Sequence, residues 1–356
     1  MFNFPTSKEL SAVEALSQAQ YIAFSPFIFQ ATCALQDLKI LSHIDEAGNN
    51  GIDIEALAQA CQLPKYGVNV LLDFALSIGI VHKQDSHYHL TKVGYFLQND
   101  KMTQVNFNFS QHFCYQGLGQ LTQAIKTGKP EGLKIFGDWQ TVYPALTSLP
   151  KETSESWFEF DHYYSDQAFD EALDIVFSYQ PKCILDIGGN TGKWSLKCLA
   201  YSPDVKMVIM DLPQQLEVAS INIEQAGFGE RFTAYPCDML DPKQNLYHGA
   251  DIIWMSQFLD CFSPEEIIAI LKKAVTSMEP DHKLCIMETF IDKQKYDAAS
   301  FSLNATSLYF TCFANGNSRM YRSTEFLPLI EQAGLKIVKM HDFVGVGHSL
   351  IVCERQ

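Results

Sequence analysis

After Pro181 the sequence settles into an alternation that few folds satisfy. Short apolar runs at 183–187, 206–210, 250–255 and 283–287 are separated by helix-length stretches, among them 192–202, 214–226 and 264–278. Apolar runs with no polar face need cover on both sides, so this order implies a doubly wound parallel sheet with helices on its two faces. Ser263, Pro264 and Glu266 open the third helix as a capping box with proline in its first turn. The end of the chain breaks the alternation. Runs at 335–341 and 348–353 are joined directly by Gly345-Val346-Gly347, which leaves no room for a helix, so the last strand should pair antiparallel with its predecessor.

The first hundred residues read differently. Leu35, Leu38 and Leu41 with Ile40 and Ile44 give helical spacing that ends at Gly48. A second helix fits Asp53 to Cys61 with Asp53 as N-cap, and a third runs from Pro64 to about Ile78. The stretch GIVHKQDSHYHLT then alternates like a hairpin with a turn at Asp85 and Ser86. Three helices and a hairpin are the order of a winged helix-turn-helix. Charge argues against nucleic acid as its partner: residues 1–100 hold five Lys, no Arg and ten Asp+Glu, and the whole chain carries a formal charge of −15. Dimerisation is the better expectation for residues 1–100. Residues 101–180 read as an aromatic-rich helical connector that contributes to an acceptor pocket, and residues 181–356 as the ligand-binding domain. No apolar run is long enough to span a membrane, and MFNFPTSKEL does not read as a signal peptide. The ten cysteines form no Cys-x-x-Cys pair, and several sit in apolar runs, as reduced thiols of a cytoplasmic protein do.

The first strand of the second half leads into Leu185-Asp186-Ile187-Gly188-Gly189-Asn190-Thr191-Gly192. Glycines let the backbone turn sharply beside a ligand, and the helix that follows offers free N–H groups. A nicotinamide-type G-x-G-x-x-G fails, because its second and third glycines would fall on Asn190 and Lys193. Asp186 inside the strand suits an ammonium group, Asp211 at the end of the second strand suits ribose hydroxyls, and Asp238 after the third suits an adenine amine. Together with Gly188, Gly189 and Gly192 they describe an adenosine carrying an amino acid, S-adenosylmethionine.

LDIGGNTG, DLP at 211–213, CDM at 237–239, DIIWMSQFLDCFSPEE at 251–266 and MET at 287–289 resemble the plant-type small-molecule O-methyltransferases over nearly the whole chain. The resemblance implies a Rossmann-like class I methyltransferase sheet with an antiparallel last strand, preceded by a mainly α winged-helix dimerisation domain. It implies a metal-independent homodimer that binds S-adenosylmethionine through Gly188, Asp211, Leu212, Asp238 and Met239. The catalytic stretch departs from the family's Lys/Arg-x-x-Leu-His-Asp-Trp-Ser-Asp-Glu. The same register puts Asp260 at the histidine and Ser256 at the cation, while a flanking glutamate is kept as Glu288. A second glutamate falls near Met320 and is lost. Tyr164 takes the place of a methionine lining the acceptor, and Phe113 and Tyr309 are further candidates for an aromatic pocket. SQFLDCF is similar to a bacterial subset tied to aryl-polyene pigments, which implies phenolic and carrier-bound acceptors.

Methyl transfer from a sulfonium is an in-line displacement that gains most from alignment of donor and nucleophile. A phenol of pKa about 10 must lose its proton, and an ordinary Asp at about 3.9 is a poor match unless a dry site raises it. The alternatives are an acidic acceptor, or a base among His112, His162, His341 and His348. Loss of the family histidine also opens C-methylation ortho to a phenolate. A fold relative with a non-methyl-transfer reaction, a winged-helix regulator and a nicotinamide dehydrogenase are the competing readings.

Overall fold

The computed structural model describes residues 10–146 and 148–356. The chain divides into two units, one ending at Gln111 and the other beginning at His112. In the first unit, helices α1 (Ala12–Ala23), α2 (Ser25–Asp37), α3 (Ile40–Glu46), α4 (Ile54–Ala60) and α5 (Lys65–Ser77) precede a hairpin of β1 (Val81–Gln84) and β2 (His87–Leu90). Helices α6 (Lys92–Asn99) and α7 (Lys101–Asn108) follow. The expected Asp53 cap is present, its carboxylate accepting the Ala56 N–H at 2.9 Å. One expectation changes: the spacing through Leu35 to Ile44 belongs to two helices. Leu38 and Lys39 donate back to the carbonyls of Ala34 and Gln36 and so close α2, and Lys39 turns into the left-handed region at φ 59°. The kink still sends Leu35, Ile40, Leu41 and Ile44 into one core with Leu57, Val68, Leu72 and Tyr88.

In the second unit, α8 (Leu121–Thr127) and the 27-residue α9 (Lys151–Phe177) lead into the sheet. Its elements are β3 (Cys183–Ile187), α10 (Lys193–Tyr201), β4 (Lys206–Asp211), α11 (Pro213–Gln225), β5 (Phe232–Pro236) and β6 (Ile252–Ser256). They continue with α12 (Pro264–Thr276), β7 (Lys283–Thr289), α13 (Asp297–Tyr309), α14 (Ser323–Gln332), β8 (Leu335–Val344) and β9 (His348–Arg355). The seven strands lie in the order β5-β4-β3-β6-β7-β9-β8, and β9 runs antiparallel to both neighbours. The run at 232–236 escapes a search for apolar segments because β5 is a half-exposed edge strand that ends in proline, where a missing N–H costs no pairing.

Alternation along each strand divides the core. Ile184, Ile209 and Trp254 face α9, α10 and α11 and pack on Phe169, Trp194 and Leu216, while Leu185, Val208 and Ile253 face α12 and α14. The chain leaves β3 toward β4 and β5 on one side and later returns to β6 and β7 on the other. That reversal opens a crevice at the carboxyl ends of β3 and β6, the place where open α/β sheets bind ligands. Among the described residues no helix is long and apolar enough to cross a membrane, and no three His, Cys, Asp or Glu gather as a metal cluster.

Candidate active site

The turn after β3 is built around Gly188 at φ 71°, whose N–H donates to the Met210 carbonyl at 2.9 Å. A Cβ at that position would stand 2.4 Å from the Phe258 ring. Gly188→Ala therefore carries a left-handed backbone cost of about 1–2 kcal/mol and also pushes Phe258, the residue that opens the catalytic turn. The expected outcome is a lower melting temperature and turnover reduced by about 10-fold or more, read by thermal melting and methyl-transfer rate. Unchanged values in both would refute it.

Asp186 lies on the face of β3 that α10 covers. It is 2% exposed, and its Oδ2 accepts the Ser195 hydroxyl at 2.7 Å. Burial pushes its carboxyl up to about 7; the Ser195 hydrogen bond opposes this and the Asp211 charge adds to it. Its oxygen is thus tied to α10 beneath the turn. Asp211 accepts the Asn190 N–H on Oδ2 at 2.9 Å and the Leu212 N–H on Oδ1 at 2.7 Å, and burial raises it. Asp238 is exposed, with Oδ1 accepting the Leu240 N–H at 2.9 Å, and the Met239 side chain is buried in the core.

Helix α9 adds groups that sequence reasoning missed. The Asn190 side-chain amide donates to Asp161 Oδ2 at 3.3 Å, and Lys193 Nζ stands 2.7 Å from Asp166 Oδ2. Burial, then the charges of Asp260 and Asp166, push Asp161 up to about 7. Asp161 sits three residues before Tyr164 on the same helix, so the i,i+3 spacing that puts both on one face was the available signal. Two buried acceptors at this turn, Asn190 Oδ1 and Asp166 Oδ1, have no hydrogen-bond partner. Open acceptors beside a glycine turn and a helix N-terminus suit the ammonium and carboxylate of an amino-acid-bearing nucleoside, so the residues present fit S-adenosylmethionine.

Beyond β6 the chain passes through Gln257 at φ 46° into a tight turn, Leu259–Cys261, that carries Asp260. Asp260 is 4% exposed, and burial pushes it up to about 6 against the Cys261 thiol, which donates to Oδ1 at 3.5 Å. Glu288 fixes the turn from β7. Its Oε1 accepts the N–H groups of Phe258 at 3.1 Å and Leu259 at 2.9 Å. Burial and the Asp260 charge hold Glu288 well above the usual carboxylate range. Asn315 and Tyr321 support the same turn by donating to the carbonyls of Cys261 and Phe262 at 2.6 Å. The Ser256 hydroxyl is buried without a partner.

Around the turn stand aromatic groups. Trp157 donates to the Tyr309 hydroxyl at 2.7 Å, and Phe113 packs against Tyr309, Phe136 and Phe313 with centroids 5.5–5.7 Å apart. Phe113 is enclosed by those rings and backs Tyr309. Tyr164 on α9 contacts the rings of Phe160 and Tyr163. Of the histidines, His162 is held down to about 4 by burial and then by Lys193, and burial holds His348 down to about 4. His112 lies 3.6 Å from Glu152, and burial lowers His341.

Residues 17–88 match the Dimerisation2-like domain family and residues 161–336 the O-methyltransferase domain family. The chain is 21% identical over 358 residues to the L-tyrosine C(3)-methyltransferase of Streptomyces lavendulae, covering 99% of this chain and 95% of that one. Its fold is that of the apo S-adenosylmethionine-dependent methyltransferase SibL, at TM-score 0.74 and 22% identity, covering 96% of this chain and 99% of that one. It is also that of the O-methyltransferase NcsB1, solved with S-adenosylmethionine and 2-hydroxy-5-methyl naphthoic acid. There the TM-score is 0.69 and the identity 17%, covering 92% and 96% of the two chains. A Dimerisation2-like match ahead of an O-methyltransferase domain match, with the glycine turn and acidic strand ends in place, identifies residues 161–336 as an O-methyltransferase domain and the chain as an S-adenosylmethionine-dependent methyltransferase.

Proposed function

We propose that the enzyme methylates a small aromatic acceptor, with Asp260 as the group that takes the acceptor's proton and Glu288 as the residue that positions it. The observation that carries this reading is the buried Asp260 carboxyl, pushed up to about 6, on a turn clamped by two hydrogen bonds to Glu288. S-adenosylmethionine, when bound, supplies an activated methyl group. The turn at Gly188, Gly189 and Gly192, the acids Asp211 and Asp238 with Leu212, and Ser256 form its binding surface, while Asp186 and the Met239 side chain are buried beneath it and act as supports. Tyr309, Tyr164 and Phe113 form or back the wall against which the ring lies. A dry wall excludes water that would compete for the Asp260 carboxylate.

Transfer to oxygen is the favoured outcome. Transfer to carbon ortho to a phenolate uses the same proton acceptor, and the name of the Streptomyces lavendulae relative supports it as the second outcome. A carrier-bound phenol is a further form of the same acceptor class. The dimerisation match, with Leu16 and Phe27 of the first unit 63% and 64% exposed, supports a homodimer. A cytoplasmic enzyme divided at 1–100, 101–180 and 181–356 completes the reading.

Titration calorimetry with S-adenosylmethionine and S-adenosylhomocysteine, followed by label transfer to a panel of phenols, tests it. A folded protein that releases heat with neither compound would overturn it. Asp211→Ala removes a carboxylate aimed at the turn, and a hydrogen bond to a charged group contributes about 1.5–3 kcal/mol. S-adenosylhomocysteine affinity should fall by about 10- to 100-fold. A dissociation constant within twofold of the parent would take Asp211 out of the cofactor site.

A further inference from the structure

We propose that Asn315 is a positioning residue for the reaction: with Tyr321 it latches the turn that carries Asp260 to the segment that follows the aromatic wall in the chain, and so sets where the proton-accepting carboxylate stands. The inference rests on the reading that Asp260 takes the acceptor's proton, and adds what holds it in place.

A histidine base offers a ring N–H by which a neighbouring carboxylate can orient it, whereas an ionised aspartate only accepts hydrogen bonds. The placement of Asp260 therefore passes to the backbone from which it hangs. That backbone holds itself weakly. The turn Leu259–Cys261 closes through two long bonds, from the Cys261 N–H to the Phe258 carbonyl and from the Phe262 N–H to the Leu259 carbonyl, both at 3.2 Å. Glu288 takes the N–H groups of Phe258 and Leu259 where the chain enters the turn. The carbonyls of Cys261 and Phe262, where it leaves, need donors from another part of the chain.

Asn315 Nδ2 and Tyr321 Oη supply them, each at 2.6 Å. The Asn315 amide has no freedom to turn over. Its Oδ1 accepts the N–H groups of Asn317 and Ser318 at 3.1 Å and the Ser318 hydroxyl at 2.9 Å, which fixes Nδ2 as the atom facing Cys261. Asn317 extends the latch past the turn. Its side-chain amide donates at 3.4 Å to Glu266 Oε2, which also accepts the N–H of Ser263, the cap of α12, at 2.8 Å.

In the other direction the segment is continuous with the ring wall. Residues 310–314 form a wide turn after α13 that carries Phe310 and Phe313, and the N–H groups of Asn315 and Gly316 close it on the Phe310 carbonyl at 3.2 and 3.1 Å. The Ala314 carbonyl is held in turn by the Val142 N–H at 2.8 Å. Asn315 thus belongs to the end of the wall and, through one hydrogen bond, to the residue beside Asp260. Displacement of a reacting group by about 1 Å can cost about 10²-fold in rate, so a bond that sets this separation acts on turnover more than on binding.

The deciding variant is Asn315→Asp. It keeps an oxygen for the N–H groups of Asn317 and Ser318 and loses only the donor, setting a carboxylate oxygen against the Cys261 carbonyl. With label transfer to the fastest-reacting member of a panel of 4-substituted phenols, kcat is expected to fall by at least about 10-fold, while KM and S-adenosylhomocysteine affinity stay within about threefold of the parent. The same change made in Asp260→Asn should cost about twofold or less, because Asn315 acts through Asp260. Without any acceptor, hydrogen exchange of the protein loaded with S-adenosylhomocysteine should be at least about fivefold faster at the amides of 258–262 and unchanged at those of β6. A kcat within about twofold of the parent, an equal loss in both backgrounds, a loss carried by KM or by S-adenosylhomocysteine affinity, or unchanged exchange in the turn would each overturn the proposal. Should Asn315→Asp not fold, Tyr321→Phe, which removes one oxygen from the same segment, is read by the same criteria. Full turnover in Asp260→Asn alone is a different result, and it would strike the general-base reading on which the inference rests.

Discussion

Asp260→Asn should lower kcat by about 10²- to 10⁴-fold, the usual contribution of a positioned general base, while S-adenosylhomocysteine still binds. The size of the effect follows from the match between base and acceptor. A phenol near 10 and an ordinary aspartate near 3.9 differ by about six units, or roughly 8 kcal/mol of unfavourable proton transfer. Burial pushes Asp260 up to about 6, which brings the mismatch down to roughly 5 kcal/mol. Proton transfer concerted with methyl transfer can absorb that difference. The groups facing Asp260 are Cys261, Glu288, Asp161, Tyr143 and Tyr321, and none of them is cationic.

The direction of the pH dependence is fixed by the same shift. The carboxylate is the working form, so the parent enzyme should lose turnover as pH falls through about 6. Burial, with the Asp260 charge added, holds the Glu288 carboxyl well above the usual carboxylate range, so it supplies no cation that would hold Asp260 down. The Asn variant should keep a small residual rate without that acidic limb. Rates measured from pH 5 to 9 for both proteins decide the matter. Full turnover in Asp260→Asn, or an unchanged acidic limb, would remove Asp260 from the proton-transfer step and return the role to a histidine or to an acceptor that ionises unaided.

Much of the fold was legible because burial on both sheet faces leaves a strong pattern in sequence. CILDI, ADIIWM and KLCIM have no polar face, and the Gly345-Val346-Gly347 link excludes a crossover. The edge strand at Phe232–Pro236 left no such mark, since its outer side is solvated and needs no apolar residues. The break at Lys39 was hidden for another reason: two short helices meeting at a left-handed residue can present nearly the same apolar spacing as one.

In the site, residues adjacent in sequence to the glycine turn and the catalytic stretch could be picked out. For Asp161 the sequence offers only its i,i+3 spacing from Tyr164, because its meaning depends on α9 bringing it to Asn190 and into the field of Asp260, a relation across 29 residues in one case and 99 in the other. Asp186 shows the opposite limit. The sequence displays an acid in a strand beside glycines, but the side on which it points follows from period 2. Asp186 shares a face with Ile184, and that face is covered by α10.

That covered position makes Asp186 expensive to ionise, and Asp186→Asn should stabilise the cofactor-free protein at neutral and alkaline pH. Burial pushes the carboxyl up to about 7 from 3.8, against the Ser195 hydrogen bond, with Asp211 adding to the rise and Cys198 close enough to feel its charge. The sign follows from proton binding. Below about pH 4 folded and unfolded chains both hold the proton, so this group leaves stability at its maximum. Between about 4 and 7 the unfolded chain releases its proton while the folded one keeps it, and stability falls as pH rises. Above 7 the loss is complete, at most about 4 kcal/mol for a shift of some three units. An Asn side chain fits the same space and accepts the Ser195 hydroxyl through its oxygen, but it has no charge to bury. Its advantage should be near zero at pH 4 and about 2–4 kcal/mol at pH 8, a rise of several degrees in melting temperature for a unit of this size. Thermal melts of the two proteins at the two pH values test the claim. Curves that stay parallel, or an Asn variant that is less stable at pH 8, would show that Asp186 is not buried as a strained acid beneath the glycine turn.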